Sequence, residues 1–169
     1  LLGLCEDKPR IMARKCVVRG IDKVQARMFL NKNHIQGNSK CSFSYGCFYN
    51  EKLVGVMSFI EYDNKKYELV RFATDNSFIC SGVGGKLFSY FLKKHKPNEV
   101  KTFADRRWTI DRECNFYTKI DFVEDKILEP DYKYVYSLKP QTRLHKFNFR
   151  KKTLNKKYNL PMSMSESEM

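Results

Sequence analysis

The chain has 169 residues, with 32 Lys+Arg against 19 Asp+Glu and a formal net charge of +13. That length suits one domain able to bury its own core without a disulfide or metal staple. Hydrophobic residues at 42% and aromatics at 14% exclude a disordered chain, and eight Gly and five Pro exclude a collagen-like or linker composition.

In chain order, residues 13–19 read as a first strand. Asp22 is suited to cap a helix running to about Lys32, with Val24, Met28 and Phe29 among its apolar residues and His34-Ile-Gln-Gly37 as its stop. Residues 43–49 and 53–62 read as two strands around a hairpin-like turn, Asn50-Glu51-Lys52. After a second turn at Asp63-Asn-Lys65, residues 67–74 form a further strand. Strict alternation there places Tyr67, Leu69 and Arg71 on one face and Glu68, Val70 and Phe72 on the other. The glycine turn Ser81-Gly-Val-Gly-Gly-Lys86 opens an amphipathic helix that stops near Pro97. Residues 100–104 then read as a short buried strand, 114–120 as a short helix, and 122–127 and 132–138 as the last strands. The order β-α-β-β-β-α-β-α-β-β is a mixed α/β layer arrangement. No apolar run reaches the length of a membrane span.

The six cysteines, Cys5, Cys16, Cys41, Cys47, Cys80 and Cys114, contain no C-x-x-C pair. Reduced, mostly buried thiols and no metal site are expected, in an intracellular, cytoplasmic protein. The chain starts at Leu1 rather than Met, as a piece of a longer protein would. The charge is unevenly placed: from Tyr132 to Ser165 there are nine Lys/Arg and no Asp or Glu. A basic extension over 139–169 is therefore expected after a domain over 1–138, with nucleic acid as its first polyanionic partner.

Three stretches carry candidate chemistry. Gly82, Val83, Gly84, Gly85 and Lys86 sit between a strand and a helix, where backbone N–H groups and the helix start favour a phosphate or pyrophosphate. The same residues also suit a tight turn with no ligand. Asp105, Arg106, Arg107 and Trp108 follow a buried strand. The two Arg suit phosphate and Trp108 suits a base, or Asp105 pairs with an Arg while Trp108 packs as core. In the tail, Arg143, Lys146, Arg150, Lys151 and Lys152 surround Phe147 and Phe149. That pattern suits nucleic acid, an amphipathic helix docked on its own domain, or both. The E-x-K triplets at Glu6-Asp-Lys8 and Glu124-Asp-Lys126 read as solvated charges rather than a nuclease site.

Over residues 13–138 the chain resembles the GNAT acyltransferase superfamily. The resemblance rests on Leu53-Val-Gly-Val-Met-Ser-Phe59, Tyr67-Glu-Leu-Val-Arg-Phe72, Gly82-Val-Gly-Gly-Lys-Leu87 and Asn115-Phe-Tyr-Thr-Lys-Ile-Asp-Phe122. It implies a mixed, mostly antiparallel sheet flanked by helices, with acetyl-CoA or another acyl-CoA on the glycine loop. It also implies Tyr117 as the proton donor to the departing thiolate and Glu68 as the general base. Ile79 stands where that family usually has Gln or Arg.

The runs Ala13-Arg-Lys-Cys16, Asn33-His-Ile-Gln-Gly37, Glu68-Leu-Val-Arg-Phe72, Val83-Gly-Gly-Lys-Leu-Phe88 and Ala104-Asp-Arg-Arg-Trp108 also look like a domain of phage-type homing endonucleases. There a Vsr-like nuclease domain usually precedes it. The Glu68-to-Arg71 and Ala104-Asp105 segments are similar to the Mom group of phage DNA-modification proteins, and Asp105 is a catalytic candidate beside Glu68 and Tyr117. These resemblances imply a protein that acts on DNA in a phage-infected host. The two functional expectations are a DNA-binding accessory domain of an endonuclease and an acyl-CoA-dependent N-acyltransferase.

Overall fold

A computed structural model of the chain describes residues 8–106, 109, 115–129, 133–136, 139–159, 161 and 163. It divides into two compact units, residues 1–123 and 124–169.

The first unit runs β1 (Arg10–Met12), β2 (Val17–Ile21), α1 (Lys23–Asn33), β3 (Phe43–Tyr49), β4 (Lys52–Tyr62), β5 (Lys66–Thr74), β6 (Ile79–Ser81), α2 (Val83–His95) and β7 (Glu99–Thr102). Strands β2-β3-β4-β5-β7 form one sheet, antiparallel up to β5 and parallel between β5 and β7. A short parallel pair, β1-β6, stands apart from it.

Asp22 caps α1 as its sequence predicts, accepting from the N–H groups of Val24 and Gln25 at 2.8 Å each. The apolar residues of α1 are not all buried. Ala26 and Leu30 pack on Val56 and Ala73, whereas Val24 and Met28 are 57% and 69% exposed. On the other side of the sheet α2 buries Val83, Leu87, Phe88 and Phe91 against Tyr45, Met57, Phe59, Tyr67 and Leu69. Phe91 stacks on Phe59 at 3.9 Å between ring centroids, and this aromatic layer is the main core.

The strand expected over 13–19 is β2 and begins four residues later, at Val17, with the unexpected β1 before it. Ala13–Lys15 form a 3-10 turn instead, and the Lys86 ammonium donates to the carbonyls of Ala13 and Cys16. A turn can aim both carbonyls at one cation; an extended strand would hold them apart. The β3–β4 connection is tighter than the three residues expected, because Lys52 already pairs with Tyr49. Asn50 and Glu51 both have positive φ, +46° and +60°, as a two-residue hairpin with the strands' twist requires.

Residues 122–129 have no regular structure where a strand was expected over 122–127. Among the described residues no partner strand pairs with them, and Val123 is 90% exposed. The helix expected over 114–120 is reduced to a 3-10 turn, Thr118–Ile120, ended by Asp121 at φ +65°.

The second unit contains β8 (Lys133–Tyr136), β9 (Lys139–His145), a 3-10 turn (Lys146–Phe149) and α3 (Lys151–Tyr158). The last strand expected, 132–138, is β8, and it pairs with β9 as a hairpin. The boundary expected between 138 and 139 therefore falls inside that hairpin. Cys16, Cys41, Cys47 and Cys80 are free thiols, while Cys5 and Cys114 lie outside the described residues. Among the described residues no group of three or more His, Cys, Asp or Glu is placed to hold a metal, and no helix is long and apolar enough to cross a membrane.

Candidate active site

The site begins where two strands part. β5 and β7 pair from Lys66 with Glu99 to Leu69 with Thr102; there β7 ends while β5 continues to Thr74. The Thr102 hydroxyl donates to the Leu69 carbonyl at 2.9 Å and closes the shared ladder. At the same level β5 is irregular against β4. Ser58 faces Arg71 and Phe59 faces Leu69, so Val70 has no partner. A bulge inserts one residue and reverses the sides beyond it.

That bulge corrects the alternation expected from sequence. Phe72 joins Tyr67 and Leu69 on the α2 side, and Arg71 turns to the side of Ala73 and α1. The Arg71 Nε donates to the Gly37 carbonyl at 3.2 Å and its Nη1 donates to the Val70 carbonyl at 2.8 Å. The guanidinium thereby ties the bulge to the loop after α1. Burial lowers its pKa, while the charge of Glu68 pushes the other way.

Tyr117 comes to this opening from the α2 side. Its turn is fixed locally: the Asn115 side-chain oxygen accepts from the N–H groups of Tyr117 and Thr118 at 2.8 and 3.1 Å. Its side chain lies beside that of Thr102. Burial raises the phenol above its ordinary value of 10.0, with the charge of Asp105 adding to the effect and Thr102 and Arg71 opposing it. Tyr117 is therefore protonated at neutral pH, as a proton donor must be.

Glu68 stands on the opposite side of β5 from Tyr67 and Leu69. It accepts from the Tyr62 hydroxyl at 2.7 Å. His34, the C-cap of α1, accepts the Gln36 N–H on Nδ1 at 3.0 Å. Burial and then the charge of Arg71 lower its pKa, so it is neutral and its proton sits on Nε2. His34 is thus a donor toward its surroundings rather than a base.

The glycine loop is used in three ways. Gly82 has φ +75°, which turns the chain into α2. Gly84 is a packing requirement: a Cβ there would lie 2.4 Å from Phe116 Cε2 and 2.9 Å from Phe72 Cζ. The Phe116 and Phe72 rings stack at 4.6 Å and 13° against that bare position. Gly85 is open, with nothing within 4 Å of the same point. It lines a cavity of about 430 Å³ with Phe88, Ser89, Val100, Lys119 and Phe122. Because Lys86 N–H donates to the Gly82 carbonyl, the N–H groups of Val83, Gly84 and Gly85 precede the first intrahelical bond. Lys86 itself is diverted: its ammonium holds the Ala13 and Cys16 carbonyls and does not face an anion at the loop.

The structure thus brings Asp105 close enough for its charge to act on the Tyr117 phenol and places Gly82 to Gly85 next to Tyr117 through Phe116, whereas Glu68 stands on the other face of β5 against Tyr62. Arg106 is exposed just after β7. Arg107 and Trp108 lie outside the described residues. Arg143, Lys146, Arg150, Lys151 and Lys152 belong to the second unit. Sequence reasoning missed Arg71, Thr102 and the Phe72–Phe116 pair. Arg71 and Phe72 do lie within the Tyr67-to-Phe72 run that carries the family resemblance.

Comparison with known proteins bears on the same elements. No curated protein matches the chain by sequence. Among solved structures it is similar to the aminoglycoside N-acetyltransferase AAC(6')-Iy in complex with CoA, at 13% identity and TM-score 0.53, over 70% of this chain and 94% of that one. An aminoglycoside acetyltransferase from an uncultured soil metagenomic sample, in complex with sisomicin, gives 15% and 0.53 over 72% and 97%. A putative acetyltransferase from Deinococcus radiodurans R1 gives 9% and 0.54 over 73% and 92%. At such identities the likeness concerns the fold, here a mixed α/β sheet flanked by helices. The acetyltransferase (GNAT) family profile matches residues 17–122, from β2 through the Tyr117 turn, and the chain belongs to that family.

Proposed function

We propose that the protein is an acyl-CoA-dependent N-acyltransferase. The observation that carries this reading is Tyr117, a phenol held protonated at the point where β5 and β7 part and linked through Phe116 to the glycine loop. When bound, an acyl-CoA supplies an activated thioester carbonyl and a thiolate leaving group. The residues fit such a ligand in two respects. The open Gly85 position and the N–H groups of Val83, Gly84 and Gly85 suit a pyrophosphate, and β5 runs on from Val70 to Thr74 past the end of β7, an edge that suits an extended arm. Ile79 and the diverted Lys86 add no charge there, so the phosphates would rest on backbone donors.

In this reading Tyr117 gives its proton to the departing sulfur. Glu68 takes the proton that the acceptor amine loses, directly or through water, while the Tyr62 hydroxyl orients its carboxylate. Arg71 is a positioning residue that holds the bulge and the loop after α1 in register.

The test is release of free CoA thiol over a panel of amines. Tyr117→Phe should lower turnover by about 10²–10⁴-fold, the usual size of one proton-transfer contribution, with acetyl-CoA affinity unchanged. Equal turnover in that variant would refute the assignment. A finer reading, in which the acceptor is a base in DNA or the domain accompanies an endonuclease, is supported by the sequence resemblances and by the basic segment after Tyr132. Transfer of labelled acyl groups onto DNA, compared with transfer onto free amines, tests its chemical part.

A further inference from the structure

We propose that the second unit is a binding surface for single-stranded nucleic acid, with Phe147 and Tyr158 offering stacking faces and Arg150, Lys152, Lys156 and Lys157 contacting phosphates. Three observations carry this. First, within the second unit the stretch from Tyr132 to Ser165 has nine Lys/Arg and no Asp or Glu, the unit's carboxylates lying before and after it at Glu124, Asp125, Glu129, Asp131, Glu166 and Glu168. Second, the cations are set on an ordered frame. Phe149 packs on Tyr134 at 4.1 Å between centroids, Leu154 is half-buried, and Thr153 donates from Oγ1 to the Phe147 carbonyl at 3.2 Å. Lys152 and Lys156 are exposed one helical turn apart on α3. Third, two exposed aromatic rings are each paired with a cation. The Arg150 guanidinium lies 3.7 Å from the centroid of Phe147, which is 47% exposed, and the Lys157 ammonium lies 5.1 Å from that of Tyr158, which is 58% exposed.

The pairing of flat rings with cations selects among polyanions. Phosphates satisfy the cations, and unpaired bases satisfy the rings, whatever their sequence. An anionic membrane would need an apolar face to insert, and α3, Lys-Lys-Thr-Leu-Asn-Lys-Lys-Tyr, carries one Leu and one Tyr. An acidic protein would use the charges and leave the exposed rings without a role. The inference does not depend on acyl transfer, and its readout contains no acyl donor.

The experiment is fluorescence anisotropy of the full chain with a labelled single-stranded oligonucleotide across a salt series. With about four phosphates neutralised, log affinity should fall against log salt with a slope of about −3. Lys152→Ala with Lys156→Ala should reduce that slope to roughly −1.4. Phe147→Leu should weaken binding about tenfold and leave the slope unchanged, because stacking rather than charge is removed. Thermal melting identifies any variant that fails to fold, and Tyr158→Leu then replaces it as the stacking probe. No binding at low salt, or binding to phosphatidylserine vesicles without binding to the oligonucleotide, would overturn the proposal. So would equal binding to polyglutamate with both stacking variants silent.

Discussion

Alanine at Gly84 and at Gly85 should have opposite consequences, although the two residues are neighbours in the first turn of α2. Both substitutions remove glycine's backbone entropy and favour the helix by up to about 1 kcal/mol. That gain is common to both, so the difference between the variants isolates what the new methyl meets. At Gly85 it meets nothing within 4 Å. At Gly84 it lies 2.4 Å from Phe116 Cε2 and 2.9 Å from Phe72 Cζ, and the Phe116 ring is held by stacking on Phe72 and by the edge of Tyr117 at 5.4 Å. Overpacking of this kind costs about 1–3 kcal/mol. With a urea dependence of about 2 kcal/mol per molar, Gly84→Ala should unfold at a urea concentration about 0.5–1.5 M below Gly85→Ala. Displacing Phe116 also moves the Tyr117 turn, and a misplacement of about 1 Å can cost on the order of 10²-fold in rate. Turnover should therefore fall in the Gly84 variant by more than its folded fraction explains. Equal stability of the two variants would refute the view that Gly84 is bare because Phe116 needs the space.

Two further outcomes follow from the same structure. Ile79 is 42% exposed beside the glycine loop, so Ile79→Arg should fold normally. If CoA phosphates rest there on backbone donors alone, the new charge should tighten CoA binding about 3–10-fold, the range of an exposed charge-assisted hydrogen bond; unchanged affinity in calorimetry would place the phosphates elsewhere. His34 and His95 both have pKa values lowered from 6.5, chiefly by burial, and the His95 Nε2 is 2.6 Å from the Tyr45 hydroxyl. The unfolded chain then binds protons more readily than the fold. Their contribution to stability is full above about pH 6.5 and is lost as pH falls toward the depressed folded-state values. Urea midpoints measured from pH 8 to 5 should decline, and less steeply in His95→Gln; a midpoint that rises with acid would contradict this.

Much of the scaffold could be read from the residues. Asp22 announces a helix start because a carboxylate there satisfies two orphan N–H groups, and the alternation from Tyr67 to Leu69 shows the buried face of β5 directly. The glycine loop and Tyr117 were legible through the family resemblance. Other features are settled only by packing. Strict alternation placed Arg71 beside Leu69, and nothing in Leu69-Val-Arg-Phe72 marks Val70 as the bulged residue. Lys86 looked like an anion ligand, but the 3-10 turn at Ala13–Lys15 and its cap Cys16 offer it two carbonyls 73 and 70 positions away in sequence. That Gly84 also leaves space for the Phe116 ring is not visible in the glycine run itself. The pattern over 122–127 is that of a strand, yet strand formation also needs a neighbour, and a single sequence does not show whether one is present.

The central claim is that this GNAT-family chain binds an acyl-CoA at the start of α2 and uses it with Tyr117. Isothermal titration calorimetry of the full chain with acetyl-CoA tests it most directly. The account predicts a saturable, single-site heat that Gly84→Ala weakens and Tyr117→Phe leaves unchanged. No heat at millimolar acetyl-CoA would contradict it.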